Sequence, residues 1–137
     1  MFEFLEKRKV LLIYIPLAVY WTALFVGTSL PADSVSGFGV GDKLLHFIAY
    51  FILAVLLSLT LLFQKKNRLF KKRYILFSII ISSVYGLLDE IHQSFIPGRS
   101  NEVLDWAADS IGAAAGILLV YYTLNKLGYF EGNIESQ

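Results

Sequence analysis

The chain contains no cysteine. Disulfide bonds, thiolate metal sites and cysteine nucleophiles are therefore excluded in any cellular compartment. Charge is also scarce, since only 17% of the residues are Asp, Glu, Lys or Arg and only two are histidine. Any chemistry at a functional site has to come from carboxylates, the two imidazoles, hydroxyl groups and basic side chains.

Apolar residues take the place of the missing charge. They make up 56% of the 137 positions, and the mean hydropathy is +0.61, which is outside the range of soluble domains. Four segments are each long and apolar enough to cross a bilayer as a helix: 10–28, 43–63, 74–92 and 104–124. We therefore expect one transmembrane domain over residues 1–137, which forms an all-α integral membrane four-helix bundle. The expected partner is a lipid bilayer, and no binding of nucleic acid is expected.

The first apolar segment has the charge pattern of a targeting signal. Lys7, Arg8 and Lys9 precede a run from Val10 to Gly27. This run is longer than the apolar core of a typical signal peptide, and no small-x-small cleavage site follows it. We expect a retained first helix, kinked at Pro16.

The charges are segregated in a way that predicts sidedness. Six basic residues and no acidic one lie between Gln64 and Arg73, and short loops with this excess face the cytoplasm. Together with this loop, the two termini hold ten basic and four acidic residues, whereas the remaining loops and adjoining helix ends hold two basic and seven acidic. The pattern predicts a multi-pass plasma-membrane protein with cytoplasmic N- and C-termini.

Three polar clusters occur at the helix ends that this topology places outside. They are Asp42, Lys43, His46 and Tyr50 at the start of the second helix, Asp89, Glu90, His92, Gln93 and Arg99 at the end of the third, and Asp105 and Asp109 at the start of the fourth. Polar side chains beside hydrocarbon need partners or a water-filled pocket, and by default they mark a functional site. We predict a ligand-binding pocket lined by these residues, open to the extracytoplasmic side, with no catalytic residue or metal ligand assigned.

The spacing within each cluster is helical. Positions three or four residues apart share one helix face, and they form the sets Asp42-His46-Tyr50, Asp89-His92-Gln93 and Asp105-Asp109-Gly112-Gly116. Glu90 lies about 100° round the helix from Asp89. The two glycines allow close approach of another helix, and the turn at Pro97-Gly98 allows Arg99 to fold back over the carboxylates.

Local roles are open for several of these residues. Asp42 can cap the second helix, and Asp105 can interact with the dipole of the fourth. Each interaction would stabilise its helix by about 0.3–1 kcal/mol. His46 is suited equally to an interhelical hydrogen bond and to a role in the functional site. For Asp33 and Glu102 we expect solvated loop charges.

Short motifs in a fixed order resemble the VanZ-like family of small bacterial membrane proteins. They are Asp42-Lys43-Leu44-Leu45-His46-Phe47, Asp89-Glu90 with Gln93, Pro97-Gly98-Arg99, and Asp105 with Gly112, and the likeness covers residues 10–124. The family is named for an accessory protein of glycopeptide resistance, associated with teicoplanin. Many relatives have Asn four residues after the aspartate of the fourth helix, where this chain has Asp109.

The resemblance implies a cell-envelope accessory factor in the response to glycopeptide antibiotics. The pocket would bind a lipid-linked or cell-wall-related ligand, with Arg99 and Lys43 on its phosphate or carboxylate.

Three other functions stay open. The first is an outer-leaflet hydrolase or transferase that uses the His/Asp/Glu cluster, with a divalent metal as a possible cofactor, although no H-E-x-x-H motif is present. The second is a transporter or proton relay, which is disfavoured because the polar residues do not continue towards the cytoplasm. The third is a non-catalytic structural or partner-binding membrane protein.

Overall fold

The computed structural model describes residues 2–31, 41–99 and 102–130. Asp33, for which a loop charge was predicted, lies outside these residues. The regular elements of the described chain are helical: α1 (Phe2–Lys7), a π-helical segment (Val10–Tyr14), α2 (Ile15–Thr28), α3 (Asp42–Phe63), α4 (Arg68–Lys72), α5 (Tyr74–Gln93) and α6 (Val103–Lys126).

Four of these helical stretches are long and apolar enough to cross a membrane: Val10–Thr28, Asp42–Phe63, Tyr74–Gln93 and Val103–Lys126. Their outer surfaces carry exposed aliphatic side chains, such as Val19, Ile80 and Leu118. In water so large an apolar surface would drive association, whereas in a bilayer the lipid chains solvate it. The predicted all-α, four-helix membrane fold is confirmed.

Pro16 is accommodated by a local change in helical hydrogen bonding. The π-helical segment runs directly into α2, and Pro16 is among the first two residues of that α-helix. The chain is already helical before this point, since the N–H of Ile15 donates to the carbonyl of Val10. A π-helical turn thus precedes Pro16, and the kink expected at Pro16 stays a prediction.

Helices α3 and α6 form the most extensive helix pair, and two glycines of α6 allow it. Gly112 lies against the backbone carbonyl of Phe47 and Gly116 against that of Phe51. A Cβ at Gly112 would lie 2.9 Å from the carbonyl carbon and 3.0 Å from the Cα of Phe47. The absence of side chains here sets the closeness of the two helices, and hence the positions of the polar residues one turn away.

One end of the bundle carries the basic loop, and we call it the basic end. Lys65 pairs with Glu6 at 2.9 Å, and the hydrogen bond from the ammonium lowers the pKa of the Glu6 carboxyl. The Lys9 ammonium donates to the carbonyl of Phe63 at 3.0 Å, and the Asn67 side chain accepts from the first N–H groups of α4. The N-terminal segment is thereby fixed to the end of α3.

The middle of the bundle is apolar apart from a few hydroxyl groups, two of which are paired. Leu53, Leu57 and Ile117 are buried there. Ser58 of α3 donates to Ser78 of α5 at 3.0 Å, and both side chains are fully buried. The buried charged groups of the described residues are instead gathered at the opposite end, where α2 and α5 finish and α3 and α6 begin. We call this the polar end.

Candidate functional site

The three polar clusters face one another at the polar end. Helices α3 and α6 each begin there with carboxylates and α5 finishes there, so side chains that are 39 and 63 positions apart in sequence come into contact. The buried polar residues of this end are His46, Tyr50, Asp89, Glu90, Gln93, Asp105 and Asp109. Helical spacing gave each set its face, and the packing of the helices brings the faces together.

Three of these side chains form what we call the buried centre: His46 of α3, Glu90 of α5 and Asp109 of α6. The Nδ1 of His46 lies 3.0 Å from Asp109 Oδ1 and 3.8 Å from Glu90 Oε1. The residues are 7%, 1% and 0% exposed, respectively. Gly86 makes room for them, since a Cβ at this position would lie 3.0 Å from Asp109 Oδ2. An imidazole between two carboxylates can accept and release a proton or bind a metal ion.

Asp89, Gln93 and Arg99 form a second group beside the buried centre. Tyr50 donates its hydroxyl to Asp89 Oδ2 at 3.4 Å. The Arg99 guanidinium donates to Gln93 Oε1 at 3.1 Å, to the backbone carbonyl of Leu30 at 3.1 Å and to that of Gly27 at 3.5 Å. Arg99 thus folds back over this end of the bundle as expected, but these acceptors are uncharged oxygens.

Lys43 forms a separate ion-pair group with the start of α6. Its ammonium lies 2.8 Å from Glu102 Oε2 and 3.0 Å from Asp105 Oδ1, and the Asp105 side chain is only 4% exposed. Glu102, which was expected to be a solvated loop charge, precedes α6 with its side chain 45% exposed, and it is also paired with Lys43. Its backbone N–H also donates to Glu90 Oε2 at 3.0 Å, which connects this group to the buried centre.

Asp42 and His92 lie at the margin of the polar end. Gly41, and not Asp42, is the N-cap of α3, so the capping role considered for Asp42 was wrong; its exposed carboxylate belongs to the first helical turn. His92 is half-buried, lies 3.0 Å from the Ser29 hydroxyl and stacks on the ring of Phe25 at 5.2 Å. It fixes the end of α2 to α5 and is outside the buried centre.

A groove with a volume of about 280 Å³ opens between α2, α3 and α5 at the polar end. Its apolar wall includes Leu24, Leu45 and Ala49, and its charged residues are Asp42, Asp89 and Arg99. His46 and Tyr50 also line it, which connects the groove with the buried centre. Lys43 is not among its lining residues.

Sequence reasoning missed Gly86 and Ser29 as parts of this site. Gly86 stands three and four residues before Asp89 and Glu90, so its place on their helix face was readable from spacing. Ser29 gave no such signal, because its contact with His92 depends on how α2 packs against α5.

Comparison with known proteins agrees with the motifs. The model of the VanZ/LLP1 family matches residues 4–125. The uncharacterized protein C11E3.10 of Schizosaccharomyces pombe is 30% identical over 118 residues, which are 85% of this chain and 65% of the yeast protein. The chain thus spans slightly less than two thirds of that relative, and because the relative is from a yeast, a bacterial source stays a prediction. No solved structure matches the chain. From the family match over nearly all of its length, we conclude that this chain belongs to the VanZ/LLP1 family, as its motifs predicted.

Proposed function

We propose that the protein is a cell-envelope accessory factor that binds the anionic headgroup of a lipid or lipid-linked precursor in the groove at its polar end. The observation that carries this proposal is the position of Arg99. Its guanidinium lines a largely apolar groove, and within the described residues it forms an ion pair with no carboxylate. A guanidinium held by neutral oxygens keeps its charge for an anionic ligand, and it can bind a phosphate or carboxylate in bidentate fashion.

The shape of the groove supports an amphiphilic ligand. Leu24, Leu45 and Ala49 provide an apolar wall that continues into the lipid-facing surface, while Arg99 and Asp89 are polar. A volume of about 280 Å³ is close to the lower end of small-molecule pockets, about 300 Å³, which suits a headgroup better than a whole lipid. The acyl chains would remain in the bilayer beside α2 and α3.

The charge distribution supports the outer leaflet as the source of this ligand. The basic loop predicts a cytoplasmic basic end, so the polar end is proposed to face outwards, at the depth of the outer headgroups. The role in the response to glycopeptide antibiotics, which the family resemblance implies, belongs to the same proposal.

Lys43 has a different role from the one expected for it. Its ammonium is shared by Glu102 and Asp105, so it joins α3 to α6, and it does not line the groove.

Lipid-dependent thermal stability tests the proposal. The purified chain in neutral detergent would be melted with added phosphatidylglycerol, with phosphatidylcholine, and with soluble glycerol phosphate. We expect phosphatidylglycerol to raise the melting temperature most, because it alone offers both the anionic headgroup and the chains. At about 100 times its dissociation constant a ligand adds about 2.7 kcal/mol of stability.

The matched variants are Arg99→Gln and Lys65→Gln, which each remove one basic group, the first in the groove and the second at the basic end. The phosphatidylglycerol shift should disappear in Arg99→Gln, relative to that variant's own baseline, and persist in Lys65→Gln. An undiminished shift in Arg99→Gln would contradict the proposal.

A second candidate is an outer-leaflet hydrolase or transferase that uses the same groove. The observation in its favour is the His46–Asp109 pair, because a buried carboxylate orients an imidazole for general acid–base catalysis. In this case His46→Gln should abolish turnover of an anionic lipid by the folded protein, whereas His92→Gln should leave it unchanged. Equal turnover in both variants, or none in the wild type, would exclude this candidate.

A further inference from the structure

We propose that the buried centre is a binding site for one divalent transition-metal ion, with His46, Glu90 and Asp109 as ligands. The three residues come from three different helices, and one candidate ligand atom of each lies within 4.8 Å of the other two. The site does not depend on the groove ligand, since none of the three residues needs a lipid to complete it.

Among the described residues, two buried oxygens of this centre have no hydrogen-bond partner. They are Glu90 Oε1 and Asp109 Oδ2, on side chains that are 1% and 0% exposed. The other oxygen of Glu90 accepts the backbone N–H of Glu102 at 3.0 Å, which fixes the carboxylate with Oε1 directed towards His46. Buried acceptors are seldom left unpaired in proteins, and a carboxylate oxygen can be satisfied only by a donor or a cation.

The balance of charge points to a cation. Of the four buried carboxylates that the described part of the chain places at the polar end, Asp105 has the ammonium of Lys43. Among the described residues, His46 is the one basic side chain in ion-pair contact with Glu90 and Asp109. If both carboxyl groups are ionised, even a protonated imidazole leaves an excess of one negative charge inside a membrane protein, where uncompensated charge is costly. A divalent ion bound to a neutral imidazole and two carboxylates leaves this set with no net charge.

The geometry and the donor atoms fit such an ion. Metal–nitrogen and metal–oxygen bonds are about 2.0–2.2 Å long, so adjacent ligand atoms of a tetrahedral site lie about 3.4 Å apart. The separations from His46 Nδ1 are 3.0 Å to Asp109 and 3.8 Å to Glu90. One imidazole with two carboxylates and no thiolate is a set of ligands that suits Zn²⁺ or Mn²⁺. Ca²⁺ and Mg²⁺ prefer sites in which all ligand atoms are oxygens. His46 also lines the groove, so a free coordination position could face a bound ligand.

The test uses the full chain in detergent, without lipid. Protein freed of metal with a chelator would be titrated with Zn²⁺ alone and with Mn²⁺ alone. We expect one ion per chain by elemental analysis, a higher melting temperature with the ion, and a change in the electron paramagnetic resonance spectrum of Mn²⁺ on binding. The absence of all three in the wild type would overturn the proposal.

The ligands are tested with near-isosteric variants. Glu90→Gln and Asp109→Asn should each weaken binding by at least about tenfold. His92→Gln and Asp42→Asn should leave it unchanged, because the first changes the other histidine and the second removes a carboxylate from a neighbouring group that shares His46. Unchanged affinity in both Glu90→Gln and Asp109→Asn would overturn the assignment, and loss in Asp42→Asn alone would move the ion to that neighbouring group. If the chain binds no metal ion but phosphatidylglycerol still raises its melting temperature, the metal proposal is overturned and the groove proposal is unaffected.

Discussion

Replacement of Gly112 by alanine should separate α3 from α6 and lower the free energy of unfolding. The new Cβ would overlap the backbone of Phe47, and a backbone carbonyl cannot rotate away as the end of a flexible side chain can. The affected helix pair is the most extensive of the bundle. The change therefore tests whether close approach at this glycine builds the polar end.

The magnitude follows from two opposing terms. Overpacking of a tightly packed interior costs about 1–3 kcal/mol, and we expect the upper end because the obstacle is backbone. Alanine is intrinsically better than glycine in a helix by about 1 kcal/mol. The net loss at Gly112 is then about 2 kcal/mol, or about a thirtyfold change in the ratio of folded to unfolded protein.

Gly27 provides the matched control. Apart from its chain neighbours and the nearby backbone of α2 itself, no atom of the described residues lies within 4 Å of a Cβ built at this position. Gly27→Ala should therefore leave stability unchanged or raise it by up to about 1 kcal/mol. Unfolding in mixed micelles by a denaturing detergent, followed by the fluorescence of Trp21 and Trp106, measures both variants. Equal free energies of unfolding for Gly112→Ala and Gly27→Ala would refute the reasoning.

Two further predictions concern polar contacts between the helices. Ser78→Ala should destabilise the bundle by about 1–3 kcal/mol, because it leaves the buried Ser58 hydroxyl unpaired. The double variant with Ser58→Ala should cost less than the sum of the single ones, and additivity in this double-mutant cycle would show that the two hydroxyls are not coupled. Lys43→Gln leaves the buried carboxylate of Asp105 without its ammonium and should lower the melting temperature more than Lys65→Gln, whose ion pair is exposed. Equal melting temperatures for the two lysine variants would contradict this.

Hydropathy and spacing predicted much of the fold because they act locally. Each apolar segment needs only its own length and composition to be suited to a membrane, so all four helices were readable from the chain. The pair Gly112 and Gly116 was likewise readable as a smooth helix face. The surface of α3 that packs against these glycines could not be predicted from the sequence, because the contacting groups are the backbone carbonyls of Phe47 and Phe51, which leave no pattern in the side chains.

The candidate site was also predicted only in part from the sequence. Polar residues beside hydrocarbon stand out in any sequence, which is why every residue of the buried centre was among the predicted pocket residues. Their assignment to separate groups was not readable. Lys43, for which a ligand contact was expected, is paired with Asp105 and Glu102. His92, which was expected among the pocket residues, contacts Ser29.

By itself, the sequence determined that this is a four-helix membrane protein of the VanZ-like type, with its polar residues near three helix ends, because helix length, periodicity and motif order are properties of neighbouring positions. The tertiary structure alone decided which polar residues meet. His46 contacts Glu90 and Asp109, and Arg99 is left without a carboxylate partner among the described residues, because the crossing of α3, α5 and α6 sets distances between positions far apart in the chain.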